Sequence, residues 1–239
     1  LGPGAAPSGR PRTIGRMSAP SRRTTLVMIG LLPWVPAARS QAEPAEPPLR
    51  IEGRAIARRV QVAGTELRLN GAGVRAVAWF KAFVAALYLG QRAGSAAEAI
   101  SAPGPKRLQM HMLAEVPAAE LSKALRRGVM RNLPAAERDP LAVPVEVLAA
   151  RIDAIGTLRK GDVLDLDWDP TRGVVLSLNG TLRGVERDPG REPPALSHPA
   201  LYPAVLRAFI GGRPYDERLK AGLLAVPAPP PPKQTTPGD

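Results

Sequence analysis

A chain of 239 residues that is 44% hydrophobic but only 4% aromatic suits one folded domain with tails, its core built mainly from Leu, Val, Ile and Ala. The net charge of +12 falls to +6 from Glu43 onward, because six arginines and no acids precede it; no dense basic run with interleaved aromatics follows, which excludes a nucleic-acid partner and leaves a weak attraction to anionic membrane surfaces. The chain has no cysteine, and its two histidines, His111 and His198, are far apart, which excludes disulfides, thiolate chemistry and a metal site, and no cofactor motif is present.

Residues 1–16 are rich in Gly, Pro and Arg without periodicity. The basic start Ser21-Arg22-Arg23, the apolar run Leu26 to Leu32 and the small-residue exit at Ala37-Ala38 predict a secretory signal peptide, loosely of the twin-arginine type, and hence a periplasmic or secreted domain. The expected organisation is a leader and signal over 1–42, a linker over 43–49, one domain over 50–226 and a disordered Pro-rich tail over 227–239.

Val60 and Val62, then Leu67 and Leu69, alternate with polar residues on either side of Ala63-Gly64, which predicts a β-hairpin. The next stretch, Leu69 to Leu89, is the longest apolar run of the mature chain, interrupted only by Arg75 and Lys81. Its Ala content favours helix, and a strand buried on both faces fits as well; two interior cations disfavour a membrane span. A short helix or loop follows at 94–100, and residues 107–113 alternate as a strand with Leu108, Met110 and Met112 on one face. Helices are expected over 120–132 and 145–158. Strands are expected over 163–168 and 174–178, with a further hairpin at Asn179-Gly180. A Pro-rich loop spans 186–199, and helices over 201–210 and 216–224 close the domain.

Several of these pieces occur together in the chalcone isomerase-like family, which the chain resembles over about residues 50–225. They are Leu69-Asn70-Gly71-Ala72-Gly73-Val74-Arg75 leading into a long strand that ends in Tyr88-Leu89, Gly104-Pro105-Lys106-Arg107-Leu108, Lys160-Gly161-Asp162, Asn179-Gly180, Phe209 to Pro214, and Leu219-Lys220 with Leu223-Leu224. The resemblance decides against helix and implies a strand pair, with a turn at Leu69 to Arg75 leading into the long strand that ends at Tyr88-Leu89. It implies an α+β open-faced β-sandwich: a large antiparallel sheet with helices layered on one face and a ligand cleft between.

The resemblance also assigns expectations to residues. Arg75 is expected to face the cleft, meeting an anionic ligand head; the competing reading is an ion pair with Glu66 or Asp167. Phe83, eight residues on, would share its face in an unbroken strand, and stands where catalytic members carry a threonine and binding members a tyrosine. In the helix over 118–132, Glu120 is near the tyrosine position of the enzymes and Lys123 near their lysine, which makes Lys123 a further ligand-binding candidate. The missing hydroxyls argue against chalcone cyclisation, so no catalytic residue is assigned. His111 reads as a surface residue, Asp165, Asp167 and Asp169 as the wet face of a half-buried strand, and Ser177 and Ser197 have no readable base partner.

The expected function is therefore non-catalytic binding of a small amphipathic carboxylate such as a fatty acid, through Arg75, Phe83 and Lys123. The alternatives are an intramolecular lyase or isomerase of the chalcone isomerase type, and an interaction domain whose cleft is filled by side chains.

Overall fold

A computed structural model describes residues 46–77, 80–183 and 194–225. The expected signal peptide, the first three residues of the linker, most of the Pro-rich loop and the tail lie outside the described residues.

The first elements are short: β1 (Leu49–Ile51) pairs with β2 (Arg54–Ile56) around Glu52-Gly53, both at positive φ. This hairpin was not foreseen, and its first strand takes the last residue of the expected linker. Next, β3 (Arg59–Val62) and β4 (Thr65–Val77) form the expected hairpin, and β5 (Phe80–Leu89) pairs back along β4 in antiparallel register. A strand pair is thus present, but the turn expected at Leu69 to Arg75 is strand. The Gly71-Ala72-Gly73 segment lies inside β4, and the chain reverses between Val77 and Phe80. Among the described residues no helix is long and apolar enough to cross a membrane.

After the short helix α1 (Ala96–Ser101), capped by Ser95, comes β6 (Lys106–Met112). The two-residue strand β7 (Val116–Pro117) leads into α2 (Ala118–Asn132) and α3 (Ala135–Asp153). Helix α3 begins ten residues before its expected start and carries Pro140 and Pro144 inside it, residues that ordinarily disfavour a helix interior. Residues 157–158, expected to end that helix, form β8 (Thr157–Leu158) against β7. The strands β9 (Val163–Asp169) and β10 (Gly173–Leu178) follow as expected, and Asn179 and Gly180, both at positive φ, turn the chain into β11 (Thr181–Leu182). Helices α4 (Leu201–Ile210) and α5 (Glu217–Leu224) close the domain.

One antiparallel sheet of seven strands, ordered β11-β10-β9-β6-β5-β4-β3, carries the helices on one face. Phe83, Ala85, Leu87 and Leu89 of β5, with Leu108, Met110 and Met112 of β6, pack against α2, α3, α4 and α5. The opposite face packs Val84, Ala86 and Tyr88 against Ile56 and the residues of β3 and β4. The α+β open-faced architecture is as expected.

Which face Arg75 occupies depends on a β-bulge. Leu69 lies opposite Tyr88, but Gly71 lies opposite Leu87, so Asn70 is an extra residue in the ladder. The insertion reverses the alternation. Leu67 and Leu69 point to the β1–β2 side, whereas Gly71, Gly73 and Arg75 point to the helices. Asn70 is fully buried; its amide donates to the Leu223 carbonyl at 2.9 Å, and its carbonyl oxygen accepts from the Ala93 N–H at 2.7 Å. The bulge is thereby fastened to α5.

Candidate functional site

The helix-facing side of β4 begins with two glycines. A Cβ on Gly71 would lie 2.3 Å from the Gly222 carbonyl oxygen, and one on Gly73 would lie 2.9 Å from that of Leu219. Their missing side chains let α5 rest directly on the strand. Two residues on, Arg75 reaches the head of that helix. Its Nη1 donates to the Tyr215 carbonyl at 3.1 Å and to Asp216 Oδ2 at 3.2 Å. The other Asp216 oxygen, Oδ1, caps α5 by accepting from the Arg218 and Leu219 amides. The side chains of Arg75 and Asp216 are 25% and 18% exposed, so the pair is partly shielded from water.

The competing expectation of an ion pair is therefore met, with a different partner. Asp216, rather than Glu66 or Asp167, faces Arg75; Glu66 pairs with Arg59 and Asp167 with Arg107. The pairing occupies one guanidinium nitrogen. Among the described residues, Nε and Nη2 of Arg75 have no hydrogen-bond partner.

Phe83 stands directly opposite Arg75 in the β4–β5 ladder and is 7% exposed. The two share a face, as cross-strand neighbours in a hairpin and not as positions along one strand. Lys123 is elsewhere: its side chain is 61% exposed, and its ammonium lies 3.9 Å from Glu120 one turn away.

Tyr215, which the sequence did not single out, fills the space between α2 and the strap that joins α4 to α5. Its ring is edge-on to Phe209, with centroids 4.8 Å apart, and packs so closely on α2 that a Cβ on Gly128 would lie 2.5 Å from it. Arginines grip the backbone of this strap from two layers. Arg75 reaches from the sheet, and Arg131 of α2 donates to the carbonyls of Arg213 and Pro214. Asn132 adds bonds to the Arg213 N–H and carbonyl. The Tyr215 hydroxyl is buried and has no hydrogen-bond partner. Burial pushes its pKa up, and the charges of Arg75 and Arg131 pull it back. A tyrosine directly after Gly211-Gly212-Arg213-Pro214 was the signal available in the sequence.

Beside Asp216 the surface forms a shallow hollow of about 460 Å3, lined by Val74, Ala76, Lys81, Asp216, Glu217 and Arg218. It follows the outer edge of β4 and the head of α5.

The outer face of the sheet carries a second polar group. Arg107 binds Asp167 through Nε and Nη2 at 2.7 and 2.6 Å, Gln109 donates to Asp165 at 2.8 Å, and His111 Nε2 meets Gln109 Oε1 at 2.7 Å. The carboxylates expected to be wet are not: Asp165 is 6% and Asp169 9% exposed, and the single guanidinium of Arg107 faces both Asp165 and Asp167 across the ladder. His111, read as a surface residue, is half-buried, and burial lowers its pKa. Ser177 donates to Asp165 at 3.5 Å, and no hydrogen bond joins it to His111 among the described residues.

No curated protein matches the sequence. Among solved structures, the fold is similar to that of a fatty-acid binding protein of Arabidopsis thaliana, at 12% identity and a TM-score of 0.49, over 72% of this chain and 92% of that one. The family model described as chalcone isomerase-like matches residues 48–225. The chain therefore belongs to the chalcone isomerase-like family.

Proposed function

We propose that this domain binds a small amphipathic carboxylate, of the fatty-acid kind, without catalysing a reaction on it. The observation that carries the reading is the state of Arg75: a guanidinium on the helix-facing side of the sheet, opposite the buried ring of Phe83, with one nitrogen engaged by protein and two without protein partners among the described residues. Charge-assisted bonds to a carboxylate are the chemistry those free N–H groups favour. Phe83 offers an apolar wall and no hydroxyl, which suits an alkyl chain better than a developing oxyanion that needs several donors. Lys123, exposed beside Glu120, is the weakest of the three ligand contacts in this reading.

One observation favours a second reading, an interaction domain with its cleft filled. Asp216 already neutralises Arg75, and the Tyr215 ring occupies the space against Gly128. Calorimetric titration with dodecanoate separates the two. The binding reading expects saturable binding that weakens at least tenfold in Arg75→Lys, since lysine keeps the charge but loses the planar fork. Absence of binding by the wild type overturns it in favour of the filled domain. The enzymatic alternative is addressed by the absorbance of a chalcone substrate, where the expected outcome is no turnover above the spontaneous rate.

A further inference from the structure

We infer that two copies of this chain associate by pairing the free edges of their β4 strands, antiparallel about a twofold axis, over residues 74–77. The inference is independent of the binding reading above and concerns a different surface.

The ladder leaves this edge open. β3 pairs with β4 only from Thr65 to Arg68, and the Leu69 N–H then donates to the Arg58 carbonyl. From 70 to 77 the strand keeps β5 on one side, and on the other no described residue hydrogen-bonds to its backbone. In an antiparallel strand alternate residues turn both N–H and C=O outward, so such an edge is a row of unmet donors and acceptors at the spacing of another strand. Sheets commonly blunt their edges by keeping them short or covering them. β3 and β11, at the two ends of this sheet, are four and two residues long. Helix α5 covers the first part of the open stretch, resting on Gly71 and Gly73. Past its head the cover ends, and the hollow of about 460 Å3 opens along Val74 and Ala76. Apolar side chains continue the edge: Val77 and Phe80, opposite each other in the ladder, are 40% and 37% exposed.

Charge decides what fits there. The chain carries a net charge of +12, so two copies repel over most approaches. Around the hollow the signs balance, with Lys81 and Arg218 against Asp216 and Glu217. A strongly basic or acidic peptide gains little from such a patch, whereas a patch of both signs is complementary to itself across a twofold axis. Glu217 and Arg218 are exposed neighbours at the head of α5. Among the described residues Arg218 has no carboxylate partner, and Glu217 has only Lys220, at 3.8 Å. Pairing about an axis normal to the sheet leaves both α5 heads on one face, where Arg218 of one protomer is offered to Glu217 of the other.

The test is sedimentation velocity of the full chain over a concentration series, with backbone hydrogen exchange at the same concentrations. The expected result is a reversible monomer–dimer equilibrium in which the amides within 74–77 gain protection as dimer forms. Val77→Lys, at an exposed position, sets two ammoniums near the axis and should weaken the dimer about tenfold or more. Glu217→Arg and Arg218→Glu should each weaken it, and the double exchange should restore it. A wild type that stays monomeric throughout overturns the inference. So does a dimer that Val77→Lys leaves intact, since association then uses another surface. Protection of 74–77 in the monomer overturns it as well, by showing the edge covered within one chain. A double exchange no better than the single variants overturns the twofold arrangement of the α5 heads.

Discussion

Gly73 of β4 and Gly222 of α5 meet across the boundary between sheet and helix with no room for a side chain on either. A Cβ on Gly222 would lie 2.6 Å from the Ala72 carbonyl oxygen and 2.7 Å from the Gly73 Cα. The contacts are backbone, so they cannot yield by a rotamer change. This close approach brings Asp216 and Tyr215 within reach of Arg75.

Gly222→Ala is therefore expected to destabilise the domain. In an unobstructed helix interior the same change would stabilise by about 1 kcal/mol through propensity. Overpacking against backbone costs about 1–3 kcal/mol. A lowered urea midpoint in Gly222→Ala, with little change in Gly212→Ala, where a Cβ would meet nothing within 4 Å, would bear out the docking contact. A raised midpoint in Gly222→Ala would refute it.

Arg75 and Asp216 are expected to be energetically coupled whether or not a ligand binds. Asp216→Ala should cost about 1 kcal/mol for the lost cap of α5. In a double-mutant cycle with Arg75→Met, a further coupling of about 1 kcal/mol is expected for the pair, as for other contacting residues. Chemical denaturation of the four proteins measures it. A coupling indistinguishable from zero would mean that the Arg75–Asp216 pair has no part in holding α5.

The sequence made the layers legible and left the strand parity hidden. Alternation at Leu108, Met110 and Met112 gave the correct face of β6, and the Asn179-Gly180 pair gave its turn, because both signals are local. The Gly71-Ala72-Gly73 segment read as a turn because glycine is common in turns; here it is flat strand, and the glycines answer to a helix about 150 residues away in the chain. The bulge at Asn70 has no local signature either. Its side chain is defined by Leu223 and Ala93, so which face Arg75 takes could not be read from β4 alone. For the same reason Asp216 was missed as the partner of Arg75, and Tyr215 was missed altogether. Asp165 and Asp167 alternated as a wet face would, but Arg107 lies opposite Asp167 on the neighbouring strand and makes their burial tolerable.

Stability is expected to decline on mild acidification, with His111 contributing. Gln109 uses its amide nitrogen on Asp165, so its carbonyl oxygen accepts and His111 donates from Nε2. Burial is the main cause of the lowered His111 pKa, followed by the opposing charge of Asp165 and the reinforcing charge of Arg54. With the folded value below the ordinary 6.5, the unfolded chain binds more protons in the interval between them. The His111 contribution is thus complete above 6.5 and is lost as pH falls toward the folded value. Urea midpoints at pH 7.5 and 5.5 should differ more in wild type than in His111→Gln. An equal pH dependence in the two proteins would show that other groups carry it.

Asn70→Leu should be among the most damaging single substitutions in the domain. The change preserves volume and removes one donor and one acceptor that are both in use, leaving the Leu223 carbonyl and the Ala93 N–H without their partner. Each buried group left unpaired costs about 1–3 kcal/mol. The loss has a second consequence, because Asn70 is the extra residue that sets the parity of β4. With no polar anchor at α5, a one-residue slip that absorbs the bulge becomes competitive, and it would turn Gly71, Gly73 and Arg75 away from the helices. The expected outcome is therefore a drop of about 2–5 kcal/mol in unfolding free energy, accompanied by faster hydrogen exchange along α5 than along α3. A variant that lost stability while α5 stayed as protected as α3 would show that the bulge keeps its place without Asn70.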